Sequence, residues 1–414
     1  MRIDLIAVRA EFLIDENVNP PLGLGYLSSY LKNNKHEEVY IHHIITGQKT
    51  PRIKSDLIGI SFTASQFYEA IRIMNELREV GNDLFVAGGI HPTVNPNECL
   101  NSGFDYVVVG EGEKSLLKLV NSLEKKEKIE RIIISEQIDD IDTVPFPDYD
   151  ALNIKDYVYK FNNREATIMF TSRGCPYNCN FCSSGKMFPK VRFHSINYIK
   201  KHIDLLHDKY GFGTIMFMDD VFTLSKSRLL MIGNYLKEKG MGYRCLSRAN
   251  LLTEEIIGIL KNTGCLEVGI GIESGNQKML DVMNKRTTVE QNYKAILNCK
   301  DAGINVKVFT LIGVPGETKE TIFDTIKLLE ETKPHDVDSN VLVPYPGTNF
   351  FDNIDKYDLT FETTDYSKAF TKGKINDYEP VIRTSNLTSS ELNEYKWKIF
   401  NKFSKLVKKK NDNN

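Results

Sequence analysis

The segment TSRGCPYNCNFCSSG, from Thr171 to Gly185, places Cys175, Cys179 and Cys182 in one polar turn beside two glycines and a proline. The whole chain has seven cysteines, so the spacing C-x3-C-x2-C concentrates three of them in one loop. Iron–sulfur clusters are held by cysteine thiolates, and thiolates at this spacing can wrap a single cluster. The loop therefore predicts a 4Fe–4S site whose three cysteines leave one iron open to a ligand with an amine and a carboxylate.

A structural zinc ion is the first alternative to the cluster. Such a site usually has four protein ligands, and the closest candidate for a fourth, His194, lacks a suitable spacing. Buried bystander cysteines are the second alternative, which the polar sequence of the loop disfavours. The remaining cysteines fall singly within helix or strand patterns and are predicted to be small core residues: Cys99, Cys245, Cys265 and Cys299.

The composition is typical of a soluble globular protein. A length of 414 residues predicts two or three domains. The net charge of −2 provides no global electrostatic footprint for nucleic acid. No apolar run reaches the ~18 to 20 residues of a membrane span, and the N-terminus lacks the apolar core of a signal peptide. We therefore expect a cytoplasmic, reducing location, where clustered cysteines favour metal over disulfide.

Short apolar runs alternate with helical patterns in the first third of the chain. The predicted strands are RIDLIAV (2–8), VYIHHII (39–45), DLIGISF (56–62), DLFVAGG (83–89) and DYVVVGEG (105–112). Strands that alternate with helices predict a parallel sheet covered on both faces. Residues 1–129 are therefore predicted to form a doubly wound, Rossmann-like α/β domain.

The ends of three of these strands contain glycines and hydroxyl side chains. They are SFTAS (61–65), GGIHPT (88–93) and GEGE (110–113). Ligands of parallel sheets lie beyond the carboxyl ends of the strands, and glycine lets the backbone approach a large ligand closely. Taken alone, these glycines fit the shaping of turns equally well. The dinucleotide fingerprint G-x-G-x-x-G is absent.

From residue 166 to residue 345 the alternation continues with longer units. Six predicted strands, from ATIMFTS (166–172) to DSNVLVPY (338–345), alternate with helices, several of which begin after Ser or Thr and end at Gly. Six such units predict an open, partial (β/α)6 barrel of the TIM type, with its function at the carboxyl-terminal rim. Residues 130–165 are predicted to be a linker with a short strand or hairpin of its own. Residues 346–414 are predicted to be a C-terminal extension with one helix.

The cysteine motif, with an aromatic residue (Phe181) before the last cysteine, resembles that of the radical S-adenosylmethionine (SAM) superfamily. Other segments resemble, in the right order, motifs of the branch with a cobalamin-binding-like front domain: FMDDVF (217–222), RCLSRANLLTEE (244–255), VGIGIESGNQKMLDVMNK (268–285), FTLIGVPGETKET (309–321) and PYPGT (344–348). In the first third, PPLGLGYLSSYLK, VAGGIHPT and DYVVVGEGE look like that front domain. The resemblance covers most of the chain.

The resemblance implies roles for the matching residues. Cys175, Cys179 and Cys182 would hold the cluster, which reduces SAM to methionine and a 5′-deoxyadenosyl radical. The implied SAM contacts are Phe181, Gly313, Pro315 and Gly316 near the adenine, Asp219 and Asp220 at the methionine ammonium, Arg248 at the methionine carboxylate, and Glu273 at the ribose hydroxyls. The alternative for Arg248 and Glu273 is membership of surface ion pairs. No catalytic side chain is assigned.

The strand ends of the first third form the implied cobalamin site. Its residues are Ser61, Thr63, Ala64, Gly88, Gly89, His91, Gly110, Glu111 and Gly112. The motif Asp-x-His-x-x-Gly, through which some cobalamin proteins bind cobalt, is absent from the sequence. We therefore name no lower axial ligand and expect base-off binding. Some proteins with this front domain bind no cobalamin at all.

The resemblance implies a cobalamin-dependent radical SAM enzyme, and a C-methyltransferase that acts on an unactivated carbon is the expected function. SAM would supply both the radical and the methyl group, and an external donor would supply the electron. The alternatives are cyclisation, epimerisation or decarboxylation, with or without cobalamin, and a sensor that only binds. The substrate is open among proteins, peptides and small metabolites, and no nucleic acid partner is expected.

Overall fold

The computed structural model describes residues 1–8, 15–45, 48–157, 159–161, 163–369 and 378–404. The chain divides into two compact units. The first comprises Met1–Tyr159 and Lys186–Arg192, and the second comprises Lys160–Gly185 and Phe193–Asn414. The segment Lys186–Arg192 thus belongs to the first unit, although it follows the cysteine loop in sequence.

The first unit contains a six-stranded parallel sheet. Its strands are β1 (Ile3–Ala7), β2 (Val39–His43), β3 (Leu57–Ser61), β4 (Phe85–Gly88), β5 (Tyr106–Val109) and β6 (Ile132–Ile134). They lie in the order β2-β1-β3-β4-β5-β6. The prediction of a doubly wound sheet is confirmed, but the sheet has one strand more than the five predicted. The additional strand β6 lies in the segment that was predicted to be a linker. Its three isoleucines pair with β5 and so extend the sheet.

Helices cover both faces of this sheet. They are α1 (Leu22–Asn33), α2 (Phe67–Glu79), α3 (Ile90–Val94), α4 (Pro96–Asn101) and α5 (Gly112–Glu124). On one face α2 packs with the segment that carries Cys99 and Phe104, and on the other face α1 packs beside α5. The first unit thus has two hydrophobic cores separated by the sheet, as doubly wound folds require.

A buried ion pair holds the segment Lys186–Arg192 within the first unit. Arg192 donates from Nη1 and Nη2 to the two carboxylate oxygens of Glu111, at 2.8 and 3.0 Å. The backbone N–H of Ile138 donates to the same carboxylate at 3.0 Å. Both charged side chains are buried, so each charge is compensated by a partner in a site that water does not reach.

A seven-stranded sheet forms the partial barrel. The strands described between residues 159 and 341 are β7 (Tyr159–Phe161), β8 (Arg164–Met169), β9 (Ser172–Arg173), β10 (Arg192–Phe193), β11 (Thr214–Phe217), β12 (Gly242–Ser247), β13 (Cys265–Glu273), β14 (Asn305–Ile312) and β15 (Asp336–Val341). The sheet has the order β15-β14-β13-β12-β11-β8-β7. The six predicted barrel strands are confirmed, and β7, from the predicted linker, extends the sheet beyond β8.

Helices follow the barrel strands. They are α6 (Ser184–Met187), α7 (Ile196–Asp204), α8 (Lys226–Glu238), α9 (Glu254–Asn262), α10 (Gln277–Val282), α11 (Val289–Asp301) and α12 (Lys319–Thr332). Ser195, Thr253, Thr288 and Thr318 cap α7, α9, α11 and α12 through their side chains, which explains why hydroxyl residues marked these helix starts in the sequence.

The described part of the C-terminal extension contains α13 (Asn349–Asp352), β16 (Thr360–Phe361), β17 (Ile382–Arg383) and α14 (Ser389–Phe403). The one predicted helix is α14, which packs against the edge strand β15. Within it, Lys396 is 1% exposed, and its Nζ lies 3.3 Å from the ring centre of Tyr378. Burial lowers the pKa of Lys396 to about 7, and the charge of Asp338 opposes this shift. Among the described helices, no helix has the length and apolarity needed to cross a bilayer.

We predict that Arg192→Met destabilises the apoprotein by roughly 3–5 kcal/mol, because it leaves the buried carboxylate of Glu111 without its charge partner. Urea unfolding followed by circular dichroism would measure this loss. Arg72→Met is the matched control, since Arg72 is 40% exposed and pairs with Glu69 and Glu76 on its own helix; we expect that change to cost about 1 kcal/mol or less. Equal losses in the two variants would contradict a specific role for the buried pair.

We predict that Lys396→Met stabilises the protein at pH 6 and that this advantage disappears as the pH rises towards 10. The pKa of Lys396 falls from 10.5 in the unfolded chain to about 7 in the folded protein. Between these values only the unfolded chain binds the proton, so wild-type stability rises relative to the variant by roughly 1.4 kcal/mol per pH unit. Urea unfolding at pH 6, 8 and 10 tests this. The exposed Lys398→Met should show no such trend, and a pH-independent effect at position 396 would refute the prediction.

Candidate functional site

The cysteine loop follows β8 at the carboxyl-terminal end of the first long barrel strand. Cys179 is buried, Cys175 is half-buried and Cys182 is exposed. Each sulfur has an N–H donor nearby. The donors are the Tyr177 backbone for Cys175, the Ser184 backbone at 3.5 Å for Cys182, and Arg248 Nη1 at 3.5 Å for Cys179. N–H donors of this kind suit thiolates that bind an iron–sulfur cluster.

Burial holds the protons on two of the three cysteine thiols. Within the described parts of the chain, no group of three or more His, Cys, Asp or Glu side chains is arranged to hold a metal ion. Desolvation raises the pKa of Cys175, and it raises the pKa of Cys182 to about 11 although part of that residue is exposed; the charge of Asp220 adds to both shifts. Cluster assembly must therefore displace protons from these thiols.

Asp219 and Asp220 follow β11, but they have different surroundings. Asp219 is 1% exposed and accepts hydrogen bonds from the Thr171 backbone at 3.0 Å, from the Thr171 hydroxyl at 2.8 Å and from the Ser172 hydroxyl. These bonds tie the start of the cysteine loop to β11. Asp220 is exposed and accepts from Ser184 Oγ at 2.6 Å. Of the two, Asp220 is the one that is open to a ligand.

Arg248, at the end of β12, is committed to the cysteine loop. Its guanidinium stacks 3.7 Å from the ring centre of Tyr177, donates from Nη1 to Cys179 Sγ at 3.5 Å and donates from Nη2 to the carbonyl of Lys285. Its Nε is buried and has no hydrogen-bond partner among the residues that the structure describes. The surface ion-pair alternative for Arg248 therefore does not match its position, because the side chain is buried.

Glu273, at the end of β13, forms a buried ion pair. Its Oε1 accepts from Lys285 Nζ at 2.7 Å, and its backbone is left-handed, with φ of 61°. The same Nζ lies 5.7 Å from the ring centre of Phe181. Lys285 is not among the residues predicted from the sequence. It is the last residue of the stretch VGIGIESGNQKMLDVMNK, and its contact with Glu273 becomes visible only in the tertiary structure.

The segment after α10 docks onto the cysteine loop. Asn180 donates its backbone N–H to Met283 O at 2.9 Å and its side-chain amide to Val282 O at 2.8 Å. Asn284 donates to the carbonyl of Asn178 at 2.7 Å. These bonds hold the middle of the cysteine loop against the carboxyl-terminal end of α10 and the residues that follow it.

The turn Gly313–Gly316 follows β14, and its two glycines have positive φ values of 79° and 77°. Glu317, a residue that the sequence analysis did not select, is fully buried and accepts from the backbone N–H of Gly313 at 2.5 Å. Burial raises the pKa of Glu317 to about 8. The turn is therefore held from inside by its own glutamate, while Pro315 is buried next to it.

In the first unit, the predicted strand ends lie side by side because β3, β4 and β5 are neighbours in the sheet. Thr93 joins two of them: its hydroxyl donates to Gly89 O at 2.8 Å and accepts from Gly110 N–H at 3.0 Å. No atom lies within 4 Å of the position that a Cβ at Gly88 would occupy, so that strand end faces open space. An open, glycine-bearing edge of this kind fits a large planar ligand such as cobalamin.

The remaining predicted cobalamin residues divide into accessible and structural positions. Ser61 is half-buried and Thr63 is exposed, whereas a Cβ at Gly112 would lie 2.8 Å from Leu27 and Ala64 is buried. A Cβ at Gly89 would lie 2.8 Å from the carbonyl oxygen of Phe62. Ala64 is therefore a core position, whereas Gly89 and Gly112 are half-buried positions at which an added side chain would collide with the protein.

His91 and Glu111 are engaged within the protein. The His91 ring is 2% exposed, lies 4.7 Å from the ring of Phe67 and has its Nε2 3.1 Å from Glu98, and burial lowers its pKa to about 4. Glu111 forms the ion pair with Arg192. Both residues follow glycines at strand ends in the sequence, but their side chains make contacts within the protein.

Two family models match the chain. The model of the radical SAM superfamily matches residues 169–329, and the model of the B12 binding domain matches residues 15–120. The first range covers β11 to β14 of the partial barrel, and the second covers β2 to β5 of the sheet in the first unit.

Several curated proteins are similar to the chain along most of its length. An uncharacterized methyltransferase of Pyrococcus horikoshii is 30% identical over 97% of this chain and 92% of its own length. The anaerobic magnesium-protoporphyrin IX monomethyl ester cyclase of Rubrivivax gelatinosus is 26% identical over 90% of this chain and 71% of its own length. The bacteriochlorophyllide d C-8(2)-methyltransferase of Chlorobaculum tepidum is 26% identical over 93% and 88%.

Solved structures share the fold. The radical SAM methyltransferase TsrM from Kitasatospora setae, with cobalamin and a 4Fe–4S cluster bound, aligns with a TM-score of 0.73 and 17% identity, and covers 96% of this chain and 87% of its own. The similarity of both domains, over nearly the whole length of a methyltransferase relative, establishes the family. The chain belongs to the radical SAM superfamily, in the group of cobalamin-dependent methyltransferases whose radical SAM domain follows a B12-binding domain.

Proposed function

We propose that this enzyme is a C-methyltransferase that acts on an unactivated carbon, in the cytoplasm, with an electron from an external donor. The observation that carries the proposal is the loop of three thiols, each with an N–H donor, at the same barrel rim as Asp220, Arg248 and Glu273. A protein that only senses cobalamin or a cluster has no need of these charged residues around the thiols.

When bound, the family's cofactors – a 4Fe–4S cluster, SAM and cobalamin – supply a radical that removes hydrogen from carbon and a methyl group that can be transferred to it. The protein holds and orients these groups. Cys175, Cys179 and Cys182 hold the cluster, and Arg248 donates to one of their sulfurs. Asp220 is exposed for the methionine ammonium, and Glu273 has its carboxylate at the rim for the ribose.

Around the adenine, the proposed contacts are Phe181 and the turn of Gly313, Pro315 and Gly316. The two glycines have positive φ values, which a residue with a side chain would adopt only with backbone strain. Asp219 acts behind the site, because its hydrogen bonds to Thr171 and Ser172 hold the start of the cysteine loop. Arg248 is proposed at the methionine carboxylate, because Nη1 and Nη2 each carry a second N–H beside the one that they donate to Cys179 and to Lys285.

In the first unit, the proposed cobalamin edge consists of Ser61, Thr63, Gly88 and Gly110. The imidazole of His91 is packed in the core, so we do not propose this side chain as a ligand of cobalamin. We retain the functional division into a cobalamin domain (1–129), a linker (130–165), a radical SAM domain (166–345) and a C-terminal extension (346–414). The linker in this division also supplies β6 and β7 to the two sheets.

Ring closure is the second candidate function, because the similar protein from Rubrivivax gelatinosus is named a cyclase. The two candidates differ in mass balance. Methylation adds a CH₂ unit to the substrate, whereas cyclisation adds no carbon.

We predict that cells containing the enzyme accumulate a product about 14 daltons heavier than its precursor, because transfer of a methyl group replaces one hydrogen. Mass spectrometry of extracts with and without the protein, after feeding methyl-labelled methionine, identifies it. Purified protein, reconstituted with iron and sulfide and reduced by dithionite, should also form 5′-deoxyadenosine from SAM. The triple change of Cys175, Cys179 and Cys182 to Ala is the control and should abolish both results. A product without the methyl label would favour the cyclase.

We predict that Gly88→Val prevents retention of hydroxocobalamin through desalting but leaves the iron content unchanged. The new side chain enters the open space at the end of β4, and the backbone φ there is not in the left-handed region, so the change obstructs a ligand without straining the turn. Absorbance of the desalted protein measures cobalamin. Gly258→Val, at an open position on α9 in the second unit, should retain it. Equal retention by both variants would remove Gly88 from the site.

A further inference from the structure

Lys285 lies at the junction of three parts of the SAM site. Only 5% of the residue is exposed, and its Nζ lies 2.7 Å from Glu273 Oε1. Its backbone carbonyl accepts a hydrogen bond from Arg248. The ammonium also lies 5.7 Å from the ring centre of Phe181, within the range of a cation–π contact. One residue thus contacts three side chains that have proposed roles toward SAM.

The ion pair uses only half of the Glu273 carboxylate. Oε1 accepts a hydrogen bond from Lys285. Oε2 has no hydrogen-bond partner among the described residues and is not fully buried. A carboxylate pinned through one oxygen keeps the other in a defined position. A ribose hydroxyl, which donates one hydrogen bond, matches the free oxygen.

Gly271 shows that the fold makes room for this pair. A Cβ at position 271 would lie 2.5 Å from Glu273 Oε1 and 3.0 Å from Lys285 Nζ. Both are the ends of side chains, and φ at Gly271 is not positive. Alanine at this position would therefore displace the ion pair without straining the backbone and without altering either charged residue.

The same strand carries a second ion pair that serves as a comparison. Arg244 Nε lies 2.7 Å from Glu267 Oε1, between β12 and the amino-terminal half of β13. That pair joins two strands in register. Lys285, in contrast, reaches Glu273 from beyond α10, where the backbone is left-handed at Glu273, Asn284 and Arg286. Residues held in this region cluster at functional sites.

We propose that Lys285 is a positioning residue for SAM: its ammonium holds Glu273 through Oε1 so that Oε2 faces the ribose, and its carbonyl orients Arg248 beside the cluster. The inference rests on the proposed role of Glu273 at the ribose. Lys285 itself does not take part in hydrogen transfer or methyl transfer.

The test measures binding of SAM and of S-adenosylhomocysteine, which carries the same ribose, to the anaerobically reconstituted protein by equilibrium dialysis. Lys285→Met should raise both dissociation constants by about tenfold or more, which corresponds to about 1.4 kcal/mol. Lys285→Arg should restore binding to within about threefold, because a guanidinium can make the same contact. Gly271→Ala should weaken binding in the same direction, with iron content and melting temperature retained.

Two controls and one spectroscopic measurement separate positioning from general stability. Lys307→Met removes a lysine that pairs with Asp336 at 2.9 Å on β15, and Gly258→Ala fills an open position on α9; neither should change the dissociation constants. In wild type, SAM should shift the electron paramagnetic resonance of the reduced cluster, and Lys285→Met should need proportionately more SAM for this shift.

The outcomes separate this inference from the proposed function. A Lys285→Met protein with full iron content that binds both ligands like wild type overturns the role of Lys285, as does a Gly271→Ala protein with unchanged binding. If Lys285→Met fails to fold, Gly271→Ala decides the question. A wild-type protein that holds its cluster but binds no SAM would refute the proposed function instead.

Discussion

The buried carboxylate of Asp219 is the interaction on which the cysteine loop depends. Most of the loop between β8 and α6 lacks regular secondary structure, so its own backbone hydrogen bonds do not determine where the thiols lie. Asp219, which follows the neighbouring strand β11, accepts hydrogen bonds from three donors on the first two residues of the loop. Burial raises the pKa of this carboxyl, and the hydrogen bonds from Ser172 and Thr171 oppose that shift. The loop therefore begins from a defined position on the sheet.

A second support holds the middle of the loop from the opposite side. Asn180 and Asn284 join it to the segment after α10, and that segment contains left-handed backbone at Asn284 and Arg286. Such residues cost on the order of 1 kcal/mol each or more. The cost is offset because the turn they create returns Lys285 to Glu273 and presents its carbonyl to Arg248. The left-handed backbone and the contact between Lys285 and Glu273 thus arise from the same turn.

Both units have their predicted site residues where parallel strands end, but the residues there differ in kind. In the barrel, charged side chains occupy the rim and are held by other side chains. In the first unit, glycines leave open space at the rim, and the charged residue nearby, Glu111, is used within the protein to bind Arg192. A planar macrocycle needs close backbone approach, whereas SAM presents an ammonium, a carboxylate and hydroxyls that need charged or polar partners.

The sequence alone determined the fold class and the strand ends, because the alternation of apolar runs is a local property of the chain. The spacing of the cysteines, which is also local, led to the prediction that Cys175, Cys179 and Cys182 hold a cluster. It also marked Asp220, Arg248 and Glu273, which follow strands in sequence and so must lie at one edge. Tertiary structure decided the rest. β6 and β7 join sheets only through pairing with distant strands, and Asp219, His91 and Glu111 lie inward because of what packs around them. Turns of the chain place Lys285 beside Glu273 and Glu317 beside Gly313. No local sequence pattern predicts these two contacts.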